Sequence, residues 1–150
     1  MAKKINTDEL AHEMAELSCL LAQTCNEKEQ YFASTFGITP AEFKCLRLFR
    51  ASKTLPIKEI SSNMNITPGR ITHILTSLED KGFINRTADK NDRRNIIVGL
   101  TKKADPFIKK LDESHLKLHK DILNGLNSEQ KEAVIYSMRE LIKAIRPCIK

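Results

Sequence analysis

A mainly helical α+β fold carrying one two-stranded β-hairpin is the architecture predicted by this 150-residue sequence. Three observations predict it. Apolar residues recur at spacings of three and four through most of the chain, the period of an amphipathic helix. Start and stop signals punctuate these stretches, with Thr39-Pro40 and Thr67-Pro68 at starts and Gly37 and Gly82 at stops. Only the segment 83–100 reads as two β-forming runs separated by polar residues.

The elements follow in order. Asn6 and Glu9 are spaced for a capping box ahead of Leu10, Met14, Leu17, Leu21 and Cys25, so a first helix is expected to about residue 34. Thr39-Pro40-Ala41-Glu42 places a cap, a first-turn proline and a third-position glutamate before Phe43, Leu46 and Phe49. Pro56 precedes a short helix with Ile57, Ile60 and Met64 on one side, and Thr67-Pro68 opens the next, which Gly82 stops. After the hairpin, Thr101 is expected to cap a long helix that ends at Asn124-Gly125. A last helix starts at Asn127 or Ser128 and carries Val134, Met138, Leu141 and Ile145. Two short helices joined by a tight turn and followed by a hairpin make a winged helix-turn-helix.

The 68–81 helix has the character of a DNA reader. At 100° per residue, Ile71, Ile74, Leu75 and Leu78 share one face. Gly69, Thr72, His73, Thr76 and Asp80 take the other, flanked by Arg70 and Ser77, with Thr67 at the cap. Short polar side chains suit insertion into a major groove about 12 Å wide. Gly69 permits close approach of a phosphate to the helix N-terminus, where the dipole also favours an anion. Asp80 would repel phosphate and is expected beyond the groove wall.

Charge points the same way. The chain carries a net +6, and residues 81–110, with nine bases and three acids, account for all of it. Such concentration favours a polyanionic partner. The hairpin tip places Lys90, Asn91, Asp92, Arg93 and Arg94 together. A guanidinium there can enter a narrow minor groove. Asp92, two residues before Arg94, is expected to hold that guanidinium in place.

Other classes find less support. The apolar fraction of 41% and charged fraction of 29% are those of a globular protein, and no apolar run reaches the ~20 residues of a membrane span. The start "MAKKINTDEL" lacks the apolar core of a secretory signal, so a cytoplasmic location is expected. Cys19, Cys25, Cys45 and Cys148 show no metal-site spacing and read as reduced thiols, three of them in apolar helical surroundings where burial is expected. His115 and His119 stand four apart on one helix, a geometry able to hold zinc, but no third ligand is identifiable. No nucleophile–base pair or carboxylate constellation marks a catalytic site, and no cofactor or metal is expected.

The run "LEDKGFINRTADKNDRRNIIVGLT" (78–101) resembles the wing of the multiple-antibiotic-resistance regulator (MarR) family. Leu78, Lys81-Gly82, Phe83-Ile84, Asp92-Arg93-Arg94, Ile96–Val98 and Leu100-Thr101 fill that family's pattern. "ITPAEFKCLRLF" (38–49), "LPIKEIS" (55–61) and "ITPGRITHILTSLE" (66–79) are also similar to it, and the helix order agrees over the whole chain. Two departures stand out: Ala104-Asp105-Pro106 where a glycine is common, and His73 where arginine is common.

The resemblance implies a single MarR-like domain over 1–150, with a DNA-binding lobe at 37–103 and a helical dimerisation lobe at 1–36 and 104–150. It implies a homodimer on a pseudopalindromic double-stranded operator, acting as a repressor released by a small aromatic or phenolic effector. Candidate effector contacts are His12, Arg47 and Arg86, polar groups in otherwise apolar stretches. Two alternatives stand beside it. One is a winged-helix module that binds a protein and has lost its operator. The other is a redox regulator acting through Cys19, although Cys19 lies about a turn later than the reactive cysteine of the hydroperoxide-sensing branch and has no tyrosine pair to assist it.

Overall fold

The structure, a computed structural model, describes residues 6–149. The helices are α1 (Thr7–Thr35), α2 (Pro40–Arg47), α3 (Ile57–Met64), α4 (Pro68–Asp80), α5 (Ala104–Asn124) and α6 (Ser128–Ile145). The strands are β1 (Thr54–Pro56), β2 (Ile84–Ala88) and β3 (Ile96–Leu100). Met1–Ile5 and Lys150, which the expected dimerisation lobe includes, lie outside the described residues. The described chain forms two compact units that divide within α5, one reaching Ile108 and the other beginning at Lys109.

Capping chemistry sets most boundaries. Thr39 and Glu42 form the reciprocal box: Glu42 N–H donates to Thr39 Oγ1 (3.1 Å) and Thr39 N–H to Glu42 Oε2 (2.8 Å). Asn127 and Gln130 do the same for α6. Gly37 and Gly82 take φ +67° and +77°, a left-handed conformation in which a Cβ would be strained, and so end α1 and α4. Asn6 caps α1 by accepting from Asp8 N–H, one residue short of the box with Glu9 that the spacing suggests.

The first unit is built around α2, α3 and α4. Phe43, Leu46, Ile60, Ile71, Leu75 and Leu78 are fully buried, each at 2% exposure or less. Phe32, near the end of α1, joins them with its ring 5.3 Å from that of Phe43. Phe107 extends the cluster, stacked on Phe83 at 4.3 Å. Between α3 and α4, Asn65 adopts the left-handed conformation at φ 51°, and the Ser61 hydroxyl donates to the Ile66 carbonyl. Asparagine tolerates that conformation better than most side chains.

The wing differs from expectation in one respect. The sheet has three strands, in the order β1-β3-β2, all antiparallel. β1 pairs Thr54 with Gly99, Leu55 with Val98 and Pro56 with Ile97. Only three residues long and ending in proline, β1 offers no period-two pattern, and proline is tolerated because the strand lies at the sheet edge. The long helix also departs from expectation: Thr101 Oγ1 donates to the Gly82 carbonyl at 2.6 Å, and α5 begins at Ala104.

Most of α1 and all of α6 carry unburied apolar stripes. Leu10, Met14, Leu17 and Leu21 are each at least half exposed, and α6 has no buried residue. No helix among the described residues is long and apolar enough to cross a membrane.

Candidate nucleic-acid interface

Two surfaces of the first unit present polar and cationic groups beside one another in sequence order: the outer face of α4 and the tip of the β2–β3 hairpin. On α4 the apolar face is turned inward, with Ile71, Ile74, Leu75 and Leu78 buried. Gly69, Arg70, Thr72, His73, Thr76 and Asp80 are exposed. Thr67 caps the helix, its Oγ1 accepting from Arg70 N–H, and the Thr72 hydroxyl donates to the Pro68 carbonyl. Around Gly69 a Cβ would meet nothing within 4 Å, so an approaching backbone finds open space there.

Ser77 departs from that outer row. It is half-buried, and its hydroxyl donates to Oε1 of Glu42. Glu42 is only 2% exposed, and its other oxygen accepts from Thr39 N–H and from Lys81 Nζ at 2.7 Å. Burial pushes this carboxyl's pKa up, but hydrogen bonds from Lys81, Ser77 and Thr39 outweigh it and hold the group below its ordinary value of 4.5. Sequence spacing identifies Glu42 as a capping residue and nothing more, because Ser77 lies 35 positions away.

At the tip, the acids are occupied by the backbone. Asp89 Oδ1 accepts from Asn91 N–H (2.9 Å), and Asp92 Oδ1 accepts from Arg94 N–H (3.0 Å). Asp92 therefore orders the Arg94 main chain, and the expected grip on the guanidinium is not formed. An aspartate reaching the amide two residues on closes a local turn, which costs less ordering than a long arginine side chain would. Lys90, Asn91, Arg93 and Arg94 are exposed, and among the described residues none of the three cations makes an ion pair.

Nearer the base of the wing, the basic segment is engaged. Arg86 Nε donates to Glu79 at 3.0 Å, and its Nη2 pairs with the same carboxylate. Lys53 pairs with Asp105 at 3.0 Å, and Lys103 Nζ donates to the Lys81 carbonyl at 2.8 Å. The tip thus keeps Lys90, Arg93 and Arg94 free to meet an anion, while Lys81, Arg86 and Lys103 are held by the protein. Replacing Lys90 or Arg93 by alanine should weaken binding to any duplex and flatten log K against log salt by about one unit, as loss of one phosphate contact requires. Arg94→Ala should instead penalise A·T-rich flanks more than G·C-rich ones, since narrow minor grooves attract arginine. Gel shifts over a salt series on both flank types measure the difference.

Comparison with known proteins decides the lineage. The family profile that matches residues 38–96 is that of the MarR family. An HTH-type transcriptional regulator of Bacillus subtilis, YfiV, is 32% identical over 105 residues, covering 69% of this chain and 65% of that one. The multiple antibiotic resistance protein MarR of Escherichia coli is 23% identical over 141 residues, 91% of this chain and 98% of that one. The chain belongs to the MarR family. A crystal structure of an E. coli MarR mutant complexed with operator DNA superposes with a TM-score of 0.72 at 20% identity, covering 91% of this chain and 99% of that one. This likeness is one of fold: a mostly helical MarR winged helix carrying a small antiparallel sheet.

The regulatory residues suggested for this MarR-family chain each have contacts of their own. His12 is exposed on α1, Arg47 lies over the Phe43 ring at 5.5 Å, and Arg86 is bound to Glu79. No hydrogen bond or ion pair among the described residues joins the three. Of the cysteines, Cys45 is buried and its thiol is pushed up to about 12, by burial and then by the charge of Glu42. Cys25 is half-buried, while Cys19 and Cys148 are exposed, against the expectation of burial: Cys19 lies on α1, whose apolar stripe is uncovered, and Cys148 in the short turn after α6. The His115 and His119 rings are 4.4 Å apart, and His119 Nδ1 lies 2.8 Å from the His115 carbonyl. No group of three or more metal-ligating side chains occurs among the described residues.

Proposed function

We propose that this MarR-family transcriptional regulator is a homodimeric repressor that reads a pseudopalindromic double-stranded operator. In this reading Thr72, His73 and Thr76 of α4 contact base edges. Thr67, Gly69 and Arg70 meet phosphate at the helix start. Lys90, Asn91, Arg93 and Arg94 engage the flanking backbone and minor groove, with Asp92 shaping their turn and Ser77 behind the helix. The observation that carries it is the pairing of an outward row of short polar side chains on α4 with a wing tip whose cations are unpaired.

Residues 37–103 serve as the DNA-binding lobe, and 1–36 with 104–150 as the dimerisation lobe. The exposed stripes of α1 and α6 support that division. A small aromatic or phenolic effector would release the repressor from DNA, and the site of action is the cytoplasm, where its operator lies. The relatives are transcriptional regulators, and we assign the chain no catalytic role.

The test is selection from a randomised duplex pool. The chain should enrich a two-fold symmetric sequence, whereas a winged-helix module that binds only protein would enrich none. Thr72→Ala, His73→Ala or Thr76→Ala should each cost about 1–3 kcal/mol on the enriched duplex wherever the side chain makes a good base contact. Binding to a scrambled duplex should barely change. Equal losses on both duplexes would exclude base reading by these three.

A further inference from the structure

We infer that Glu42 is a positioning residue for sequence reading, fixing the rotational setting of α4 through its hydrogen bond with Ser77. This rests on the reading of α4 as the base-contacting helix. The apolar contacts that seat α4, through Ile71, Ile74, Leu75 and Leu78, are non-directional, so they resist separation better than rotation about the helix axis. The Ser77–Glu42 hydrogen bond is directional and off that apolar face. Its acceptor is itself immobilised. Glu42 sits at the third position of α2, and Oε2 is held by Thr39 N–H at 2.8 Å and Lys81 Nζ at 2.7 Å. Lys81 also donates to the Gly37 carbonyl at 3.2 Å, tying the end of α4 to the turn between α1 and α2.

Ser77 directly follows Thr76 and lies one helical turn beyond His73. A small rotation at Ser77 therefore moves both outward side chains across the groove. Groove contacts need hydrogen-bond geometry, whereas phosphate contacts tolerate such movement. Glu42, at 2% exposure, is unable to touch DNA itself.

Five variants separate positioning from simple stabilisation. Each is measured on a duplex enriched by the wild-type chain and on a scrambled duplex of equal composition, at a temperature where melting curves show all of them folded. Ser77→Ala and Glu42→Met should each lower the ratio of enriched to scrambled affinity about tenfold, a loss within the range of one good base contact. The double variant should lose no more than either single one, because both remove the same link. Glu42→Gln should keep the ratio, its amide nitrogen donating to Ser77 Oγ while its oxygen accepts from Thr39 and Lys81. Phe32→Leu, a core change on α1 that leaves the Ser77–Glu42–Lys81 link intact, should keep the ratio while lowering stability more than Ser77→Ala does. Ratios that track melting temperature across the set would overturn the inference, as would a loss in Ser77→Ala that Glu42→Met does not share. If the wild-type chain enriches no sequence, the DNA reading fails and the inference falls with it. Enrichment by the wild type with an unchanged ratio in Ser77→Ala overturns the inference alone.

Discussion

A chain carrying both Leu17→Asp and Met138→Asp should be monomeric in solution and should bind the enriched operator at least about 100-fold more weakly than the wild type. The two side chains are 56% and 47% exposed, each in the middle of an apolar stripe. On α1 the stripe comprises Leu10, Met14, Leu17, Leu20 and Leu21; on α6 it comprises Val134, Ile135, Met138, Ile142 and Ile145. Lone soluble proteins rarely leave contiguous apolar patches above a few hundred Å². A charge buried at the centre of such an interface has no partner, so the cost opposes association directly. Once the chains separate, each engages one half-site, and the second binding event loses its intramolecular advantage. Affinity for scrambled duplex, per chain, should change little. Sedimentation velocity with titration on both duplexes checks each part. A variant that remains dimeric, or a monomer that retains operator affinity, refutes the arrangement.

Lys81→Met should lower the stability of the winged lobe by about 2 kcal/mol at neutral pH. Removing one partner of a fully buried ion pair costs roughly 3–5 kcal/mol. Lys81 is one-third exposed while Glu42 is buried, so the cost falls below that range. The sign of the pH dependence provides a second check. In the wild type the Glu42 pKa lies below its ordinary 4.5, so its contribution is fully present above about that pH and disappears as acid protonates the folded carboxylate. Without Lys81, burial is opposed only by Ser77 and the Thr39 amide. The variant should then lose much less stability than the wild type on acidification from pH 7 to below about 4. Urea unfolding at several pH values measures both quantities. Parallel pH profiles for the two proteins would show that Glu42 draws little from Lys81.

What was legible in the sequence was chiefly local. Thr39-Pro40 with Glu42, Thr67-Pro68, the start at Asn127 or Ser128, and glycines 37 and 82 mark helix ends through local chemistry, so linear spacing reveals them. The inward row of α4 follows from its helical period for the same reason.

The features that spacing did not reveal depend on distant partners. β1 finds its ladder on β3, with Thr54 opposite Gly99, and the segment has too few residues to show alternation. Glu42 meets Ser77 and Lys81 only once α2 and α4 are packed. Where a polar side chain had a choice, competition decided. Asp92 took the Arg94 amide in place of its guanidinium, and Thr101 gave its hydroxyl to Gly82 and left α5 to begin three residues later. The exposed cysteines are a further case, since periodicity identifies an apolar helix face without saying what covers it.

The short strand β1 has a consequence for how operators evolve. Its ladder to β3 attaches the wing to the segment that leads directly into α3, and α3 packs beside α4. In the proposed reading, α4 and the wing are therefore two jaws of a caliper whose gauge is fixed by the pairing of β3 with β1 and β2. Such an instrument constrains phase as well as letters. Bases under one jaw can drift while those under the other stay constant, but the interval between the two tracts has to be inherited as a unit.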